Sequence, residues 1–164
     1  MHTTPDAAAP VFDTPVPRSI RLLRRLNPVI VALLRSPLHG LLSANLLVLG
    51  YTGRRTGRRY RLPLSYVERD GRLYLCTRTA FWWRNLRHGR QVELRLRGRD
   101  VVATPSILDP SSPEALDGLR AFLTRNPGTG ELLYNVPRGP DGRPVEVNLR
   151  REVLRSVVVR LEQR

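Results

Sequence analysis

Gly50-Tyr51-Thr52-Gly53-Arg54-Arg55-Thr56-Gly57-Arg58-Arg59 lies between two strand-like segments, and how it is read decides the fold. The apolar run Leu46-Leu47-Val48-Leu49 precedes it, and the alternating run Tyr60-Arg61-Leu62-Pro63-Leu64-Ser65-Tyr66 follows it. Two extended segments joined through glycines predict a hairpin. Glycine permits a tight turn and lets a ligand approach bare backbone. Arginine presents a planar fork of donors that fits phosphate or carboxylate. Four arginines between two strands therefore form an anion clamp, for which a phosphate-bearing cofactor is the leading ligand and nucleic acid the rival. A solvated basic hairpin is the plain structural alternative, so the turn gains its meaning from the segments around it.

Downstream, strand signals continue. Residues 59 to 67 alternate, with Tyr60, Leu62, Leu64 and Tyr66 on one face. Asp70-Gly71 tolerates positive φ and predicts a hairpin turn into a partner strand over 72 to 78. Phe81-Trp82-Trp83-Arg84-Asn85-Leu86-Arg87-His88-Gly89 predicts a short helix closed by glycine. Val92, Leu94 and Leu96 alternate with Gln91, Glu93, Arg95 and Arg97, and Gly98-Arg99 turns the chain into a strand over 100 to 108. Ser112-Pro113-Glu114 opens a helix to about Arg125. Residues 127 to 144 read as a long Gly/Pro-rich loop with a helical turn near Leu132. Val145–Leu149 and Ser156–Leu161 read as the last strands.

Upstream, residues 18 to 43 read as helical. Asn27-Pro28 and Ser36-Pro37 each look like an N-cap followed by proline at the first helical position. The basic amphipathic stretch 18–35 packs its apolar face on the domain or lies on an anionic membrane surface. Residues 1–17 hold four prolines and no basic start with an apolar core, so they predict a disordered or loosely packed tail rather than a secretory leader. About seven hairpin-connected strands with flanking helices predict one α+β domain over 18–164, mainly β, closed as a small antiparallel barrel.

The chain has 164 residues and a net charge of +14; all 28 basic residues are arginine. That excess attracts phosphorylated cofactors, nucleic acid or acidic lipid. The single cysteine, Cys76, sits in an apolar strand and predicts a core residue, with no disulfide, no metal-ligand cluster and a cytoplasmic setting. No apolar run approaches the ~20 residues of a membrane span. Neither a nucleophile elbow nor a paired-carboxylate pattern is present, so any reactive atoms belong to a cofactor. Trp82 and Trp83 point about 100° apart on a helix, one toward the core and one over a cleft. Arg84 and Asn85 stand beside the strand end Thr77-Arg78-Thr79, where they can hydrogen-bond a flat ring with polar edges.

The ordered series Thr52-Gly53-Arg54-Arg55-Thr56-Gly57-Arg58, Pro63-Leu64-Ser65-Tyr66, Asp70-Gly71, Trp82/Trp83 with Asn85-Leu86, and Val92-Glu93-Leu94 resembles the deazaflavin-dependent nitroreductase and quinone reductase family. The resemblance covers about residues 28 to 108. It implies the split β-barrel shared with FMN-binding proteins and pyridoxamine phosphate oxidases, and hydride transfer from reduced coenzyme F420 to a quinone or nitro acceptor. FMN is the alternative cofactor, and a catalytically inactive, basic nucleic-acid-binding barrel the alternative function. Carried over, Thr52, Gly53, Arg54, Arg55, Gly57, Arg58 and Arg59 hold the phosphate-bearing tail. Pro63 and Ser65 join the site, with Arg78, Thr79, Trp83 and Asn85 on the ring side and Tyr134 on the substrate side. A homodimer and peripheral membrane contact through 18–35 are the implied partners, and no metal is implied. Only Thr79-Ala80-Phe81 separates the strand from the tryptophans, which implies a trimmed pocket.

Overall fold

Two tight turns set the sheet. At Asp70-Gly71 and at Arg97-Gly98 both central residues take positive φ, 51° and 72° in the first and 45° and 78° in the second. Paired positive φ values define the two-residue hairpin turn whose twist matches the strands it joins. These turns place Arg69 opposite Arg72 and Leu96 opposite Arg99. A computed structural model gives the structure of residues 18–78, 80–87 and 89–163, with backbone alone for 18–25 and 130. The expected tail 1–17 and the expected ring contact Thr79 lie outside the described residues.

The strands are β1 (Leu46–Thr52), β2 (Arg59–Ser65), β3 (Val67–Arg69), β4 (Arg72–Thr77), β5 (Val92–Leu96), β6 (Arg99–Ile107) and β7 (Val157–Gln163). All neighbours are antiparallel, in the order β2-β1-β5-β6-β7-β4-β3. β2 and β3 stand at opposite ends of that order, yet Tyr66 alone separates them in the chain. One stretch of chain therefore forms both edges, and the sheet must curl to let it do so. The fold is a split antiparallel β-barrel with flanking helices. The strand read over 59–67 is accordingly broken at Tyr66. That residue is 2% exposed; its hydroxyl donates to the Ser43 carbonyl at 3.0 Å and accepts from Arg97 Nε at 3.1 Å, and its amide donates to the Asn45 carbonyl at 3.2 Å.

Strand alternation divides the apolar side chains between two cores. Leu73 and Leu75 of β4, and Val157, Val159 and Leu161 of β7, enter the barrel with Leu47, Leu49, Val92, Leu94 and Leu96. Tyr74 and Val158 point the other way, onto Ala115, Leu119, Phe122 and Leu123. Those four belong to α2 (Pro113–Arg125), capped by Ser112, whose hydroxyl accepts from the Ala115 amide at 3.2 Å. β4 and β7 are thus covered on both faces, and each fully buried leucine or valine contributes about 1.5–3 kcal/mol.

The helices depart from the sequence reading in four places. α1 (Arg18–Arg35) runs through Pro28, where two helices divided at Asn27-Pro28 are expected. An interior proline forfeits one hydrogen bond, and helix packing on the barrel through the buried Leu34 outweighs that loss. The expected loop over 127–144 contains α3 (Pro127–Leu133). The expected strand Val145–Leu149 is instead the start of α4 (Glu146–Val153). Leu149, Glu152 and Val153 recur at three- and four-residue spacing and bury one face, while Val147 is exposed. Arg150 pairs with Glu146 across one turn at 3.0 Å. The helix expected over 81–89 is reduced to a 3₁₀ turn, Trp82–Asn85.

Gly98 is confined from both sides. A Cβ there would collide with the His39 ring at Nε2, on a 3₁₀ turn, Pro37–Leu41, whose His39 Nδ1 also meets Ser43 Oγ at 3.2 Å. We predict that Gly98→Ala destabilises by about 2–3 kcal/mol, combining backbone strain with overpacking. Gly142→Ala, at φ +73° with nothing within 4 Å, is the control and should cost about 1 kcal/mol. Urea denaturation compares them; equal losses would show that His39 does not constrain the turn.

Candidate functional site

The hairpin between β1 and β2 ends its ladder at Thr52 and Arg59. Beyond that pair the chain makes a compact loop, in which the Gly53 amide donates to the Arg58 carbonyl and the Gly57 amide to the Gly53 carbonyl, both at 2.8 Å. Thr56 Oγ1 accepts from the Arg58 amide at 3.3 Å and meets the Tyr60 hydroxyl at 3.3 Å. A Cβ on Gly53 would stand 2.7 Å from both Thr56 Oγ1 and the Tyr60 ring, so only glycine fits that position without a rearrangement. Tyr51 and Tyr60 face each other in the ladder, and their rings stack at 5.4 Å and 20°. Burial, and then the neighbouring Tyr60, raise Tyr51 above the ordinary phenol value, so Tyr51 keeps its proton at neutral pH.

The 3₁₀ turn Trp82–Asn85 stands against this loop. Asn85 Oδ1 accepts from the Arg54 amide at 3.0 Å, and Asn85 Nδ2 donates to the Trp82 carbonyl at 3.1 Å. The Arg84 guanidinium lies 4.7 Å from the centre of the Phe81 ring and 5.7 Å from that of Trp83. Between loop and turn opens a cleft of ≈ 240 Å³ lined by Tyr51, Gly53, Arg54, Arg55, Thr56, Tyr60, Phe81, Arg84 and Asn85. Its lining holds three arginines and no carboxylate. Two other depressions differ in charge. One of ≈ 250 Å³ on the outer sheet face mixes Arg35, Arg61 and Arg95 with Glu93 and Asp100. A groove of ≈ 460 Å³ between α2 and α4 carries Asp117, Arg120 and Arg150, whose guanidiniums are engaged by Asp117 and Glu146.

The expected site residues divide between the cleft and other places. Gly53, Arg54, Arg55 and Asn85 line it. Thr52 and Gly57 shape the loop behind it. Arg59 is drawn aside to Glu93, 3.4 Å away, and Arg58 is not among the lining residues. Pro63 and Ser65 lie at the far end of β2, opposite Val48 and Leu46. Trp83 is buried in the barrel core, its indole N–H without a partner among the described residues. Thr56, Phe81, Tyr51, Tyr60 and Arg84 complete the lining, and the sequence carries one signal for the tyrosines: both stand at matched distances from the centre of the hairpin.

Arg78 and Tyr134 belong to the second core. Arg78 Nε lies 3.2 Å from Glu152 Oε1, and its Nη1 donates to the Leu133 carbonyl at 3.4 Å. Tyr134 is 3% exposed and packs edge-on to Phe122 at 6.2 Å. Burial, and then the nearby Cys76 and Glu152, hold the Tyr134 phenol well above its ordinary value. Burial likewise pushes up the Cys76 thiol, which suits packing and not nucleophilic chemistry. Burial raises the Glu152 carboxyl above its ordinary 4.5, against the opposing pull of Arg78 and Arg155.

Comparison with known structures agrees with the barrel. A domain-swapped dimer superimposes with a TM-score of 0.55 at 15% identity, covering 88% of this chain and 99% of that one. A conserved hypothetical protein of Mycobacterium tuberculosis gives 0.51 at 17% identity, over 93% and 83%. An F420-H2 dependent reductase gives 0.49 at 16% identity, over 70% and 93%. No protein-family model and no curated protein matches the sequence. The split β-barrel is defined by the strand order and the curl at Tyr66, independently of these likenesses.

Removing Arg78 would leave Glu152, 6% exposed, without its nearest cation. We predict that Arg78→Ala destabilises by about 2–3 kcal/mol at pH 7, somewhat under the range for a fully buried pair because Arg78 is partly exposed. A carboxyl whose folded pKa is raised contributes stability that is present below its unfolded value and lost as pH rises through the folded one. Arg78→Ala raises that folded value further, so its deficit should be largest near neutrality and shrink below pH 4.5. Urea midpoints of both proteins at pH 4 and pH 7 test this; a deficit independent of pH would show that Glu152 is not its source.

Proposed function

We propose that the cleft beside the Gly/Arg loop binds the phosphate-bearing end of a deazaflavin or flavin cofactor, and that the protein is an oxidoreductase. The observation that carries this reading is the lining itself: Arg54, Arg55 and Arg84 without any carboxylate, around a loop that folds tightly because Gly53 has no side chain to collide with Thr56 and Tyr60. Guanidinium forks bind phosphate through charge-assisted pairs of hydrogen bonds. The stacked Tyr51 and Tyr60, with Phe81, supply aromatic surface beside the arginines. The donor set therefore fits such a group.

Arg54 and Arg55 would hold the phosphate from the loop and Arg84 from the 3₁₀ turn. Coenzyme F420 is the cofactor we favour, from the ordered motifs that resemble the deazaflavin-dependent family, with FMN as the alternative. When bound and reduced, the cofactor supplies a hydride, here to a quinone or nitro-type acceptor. This chain's part is to anchor and orient it and to neutralise negative charge. The cleft is smaller than the roughly 300–1,000 Å³ of pockets that enclose a whole ligand, so it suits one end of the cofactor. A second copy of the chain covering the remainder is part of the proposal. So is peripheral contact with an acidic lipid surface through α1, which exposes Leu26 and Val29. None of the described helices is long and apolar enough to cross a membrane.

Titration of the full chain with F420 and with FMN, followed by ligand fluorescence near physiological salt, tests the reading. We predict micromolar or tighter binding of one of them. A double change, Arg54→Ala with Arg55→Ala, should weaken it by about a hundredfold or more, from two charge-assisted contacts. The circular dichroism spectrum should be unchanged, because neither guanidinium is paired with a carboxylate among the described residues. Full binding by the folded double variant would refute the assignment of this cleft.

A further inference from the structure

The loop that carries Arg54 and Arg55 has only one hydrogen bond, among the described residues, to any segment outside its own hairpin: Arg54 N–H to Asn85 Oδ1, 3.0 Å, bridging 31 residues of sequence. The other bonds of the loop run from Gly53 to Arg58, from Gly57 to Gly53, from Arg58 to Thr56 and between Thr56 and Tyr60. Those bonds fix the shape of the loop, but they leave open its tilt about the last ladder pair, Thr52 and Arg59. Asn85 settles that tilt. Its own amide is held by the Trp82 carbonyl at 3.1 Å, and Trp82 is 7% exposed within the barrel core. The chain of contacts therefore runs from the core, through a side-chain amide, to the backbone of the arginine loop.

The chemistry of the amide matters as much as its place. A carboxamide oxygen accepts the Arg54 N–H without adding charge, while its nitrogen uses the Trp82 carbonyl. Aspartate has nearly the same shape and offers the same acceptor, but would bring an anion into a lining that otherwise has none.

We propose that Asn85 is a positioning residue of the cleft and not a contact to the cofactor ring: it clamps the arginine loop at the width a phosphate group requires, and it is amide rather than acid so that the cleft stays selective for anions. This inference rests on the reading of the cleft as a phosphate site. It assigns Asn85 a role through Arg54, and it makes the cleft's affinity depend on a bond that need not touch the ligand.

The test uses the full chain, with inorganic phosphate and FMN as probes, and two variants. Amide exchange of Arg54 by NMR reports the clamp, and titration reports the cleft. Asn85→Ala removes the clamp: the Arg54 amide should exchange about tenfold faster, and FMN should bind about five- to tenfold more weakly, as expected for loss of one neutral hydrogen bond. Asn85→Asp keeps an acceptor for the Arg54 N–H but loses the donor to the Trp82 carbonyl: Arg54 protection should fall no further than in Asn85→Ala, while binding at pH 7 falls more than tenfold through like-charge repulsion. Relative to wild type at each pH, the Asn85→Asp loss should shrink as the pH is lowered through the carboxyl's titration, which a purely structural role would not produce. Wild-type protein that binds neither these probes nor F420 overturns the phosphate reading and this proposal with it. Wild-type binding that Asn85→Ala leaves unchanged overturns the proposal alone, as does an Asn85→Asp variant that binds like wild type at pH 7.

Discussion

The bend at Tyr66 is the constraint on which the rest of the structure depends. It lets one continuous stretch of chain serve as both edges of a seven-stranded sheet, and so turns an open meander into a half-closed barrel. The bend is held chemically as well as sterically. The Tyr66 hydroxyl is donor to Ser43 and acceptor from Arg97, which itself reaches Glu68 at 2.8 Å. These contacts tie the connection after the 3₁₀ turn, the β5–β6 hairpin and β3 to one buried phenol. A buried hydroxyl left without partners is costly, so the geometry that satisfies all of them is strongly favoured over its neighbours.

Curling the sheet has a direct consequence for the site. It gives β4 and β7 two covered faces, so the helices can add a second core behind them while the first fills the barrel. The chain leaving β4 then starts at an anchored strand end, with Arg78 held by Glu152 and the Leu133 carbonyl. It re-enters the barrel with Trp82 and Trp83. The 3₁₀ turn Trp82–Asn85 stands there against the arginine loop of the β1–β2 hairpin. The cleft is thus the gap between a turn anchored in the barrel core and a loop carried by a ladder, the two joined by the bond from the Arg54 amide to Asn85.

Electrostatics separates this cleft from the rest of a basic surface. Most guanidiniums in the other two depressions face carboxylates, and exposed pairs of that kind contribute little to stability but much to neutralising local charge. Arg59 illustrates the sorting: it opens β2 directly after the loop of Arg54 and Arg55, yet it pairs with Glu93. The potential that remains concentrated is therefore that of Arg54, Arg55 and Arg84, beside aromatic walls.

The sequence by itself determined the hairpins, the two-residue turns and the barrel they build, because these depend on local rules: glycine and aspartate at positive φ, and apolar residues every second position. It also located the arginine loop and Asn85, since charge and side-chain type are properties of the chain. It misread Val145–Leu149, where five residues alternate like a strand but the helical face becomes legible only with Glu152 and Val153 and with α2 to pack against. It could not show which arginines share a cleft. Arg55 and Arg84 meet only because the sheet curls, Arg78 turns away because Glu152 waits on the other side of β4, and Trp83 is drawn inward by the space the barrel must fill. Those outcomes depend on contacts between residues far apart in sequence, and it is the tertiary structure that decides them.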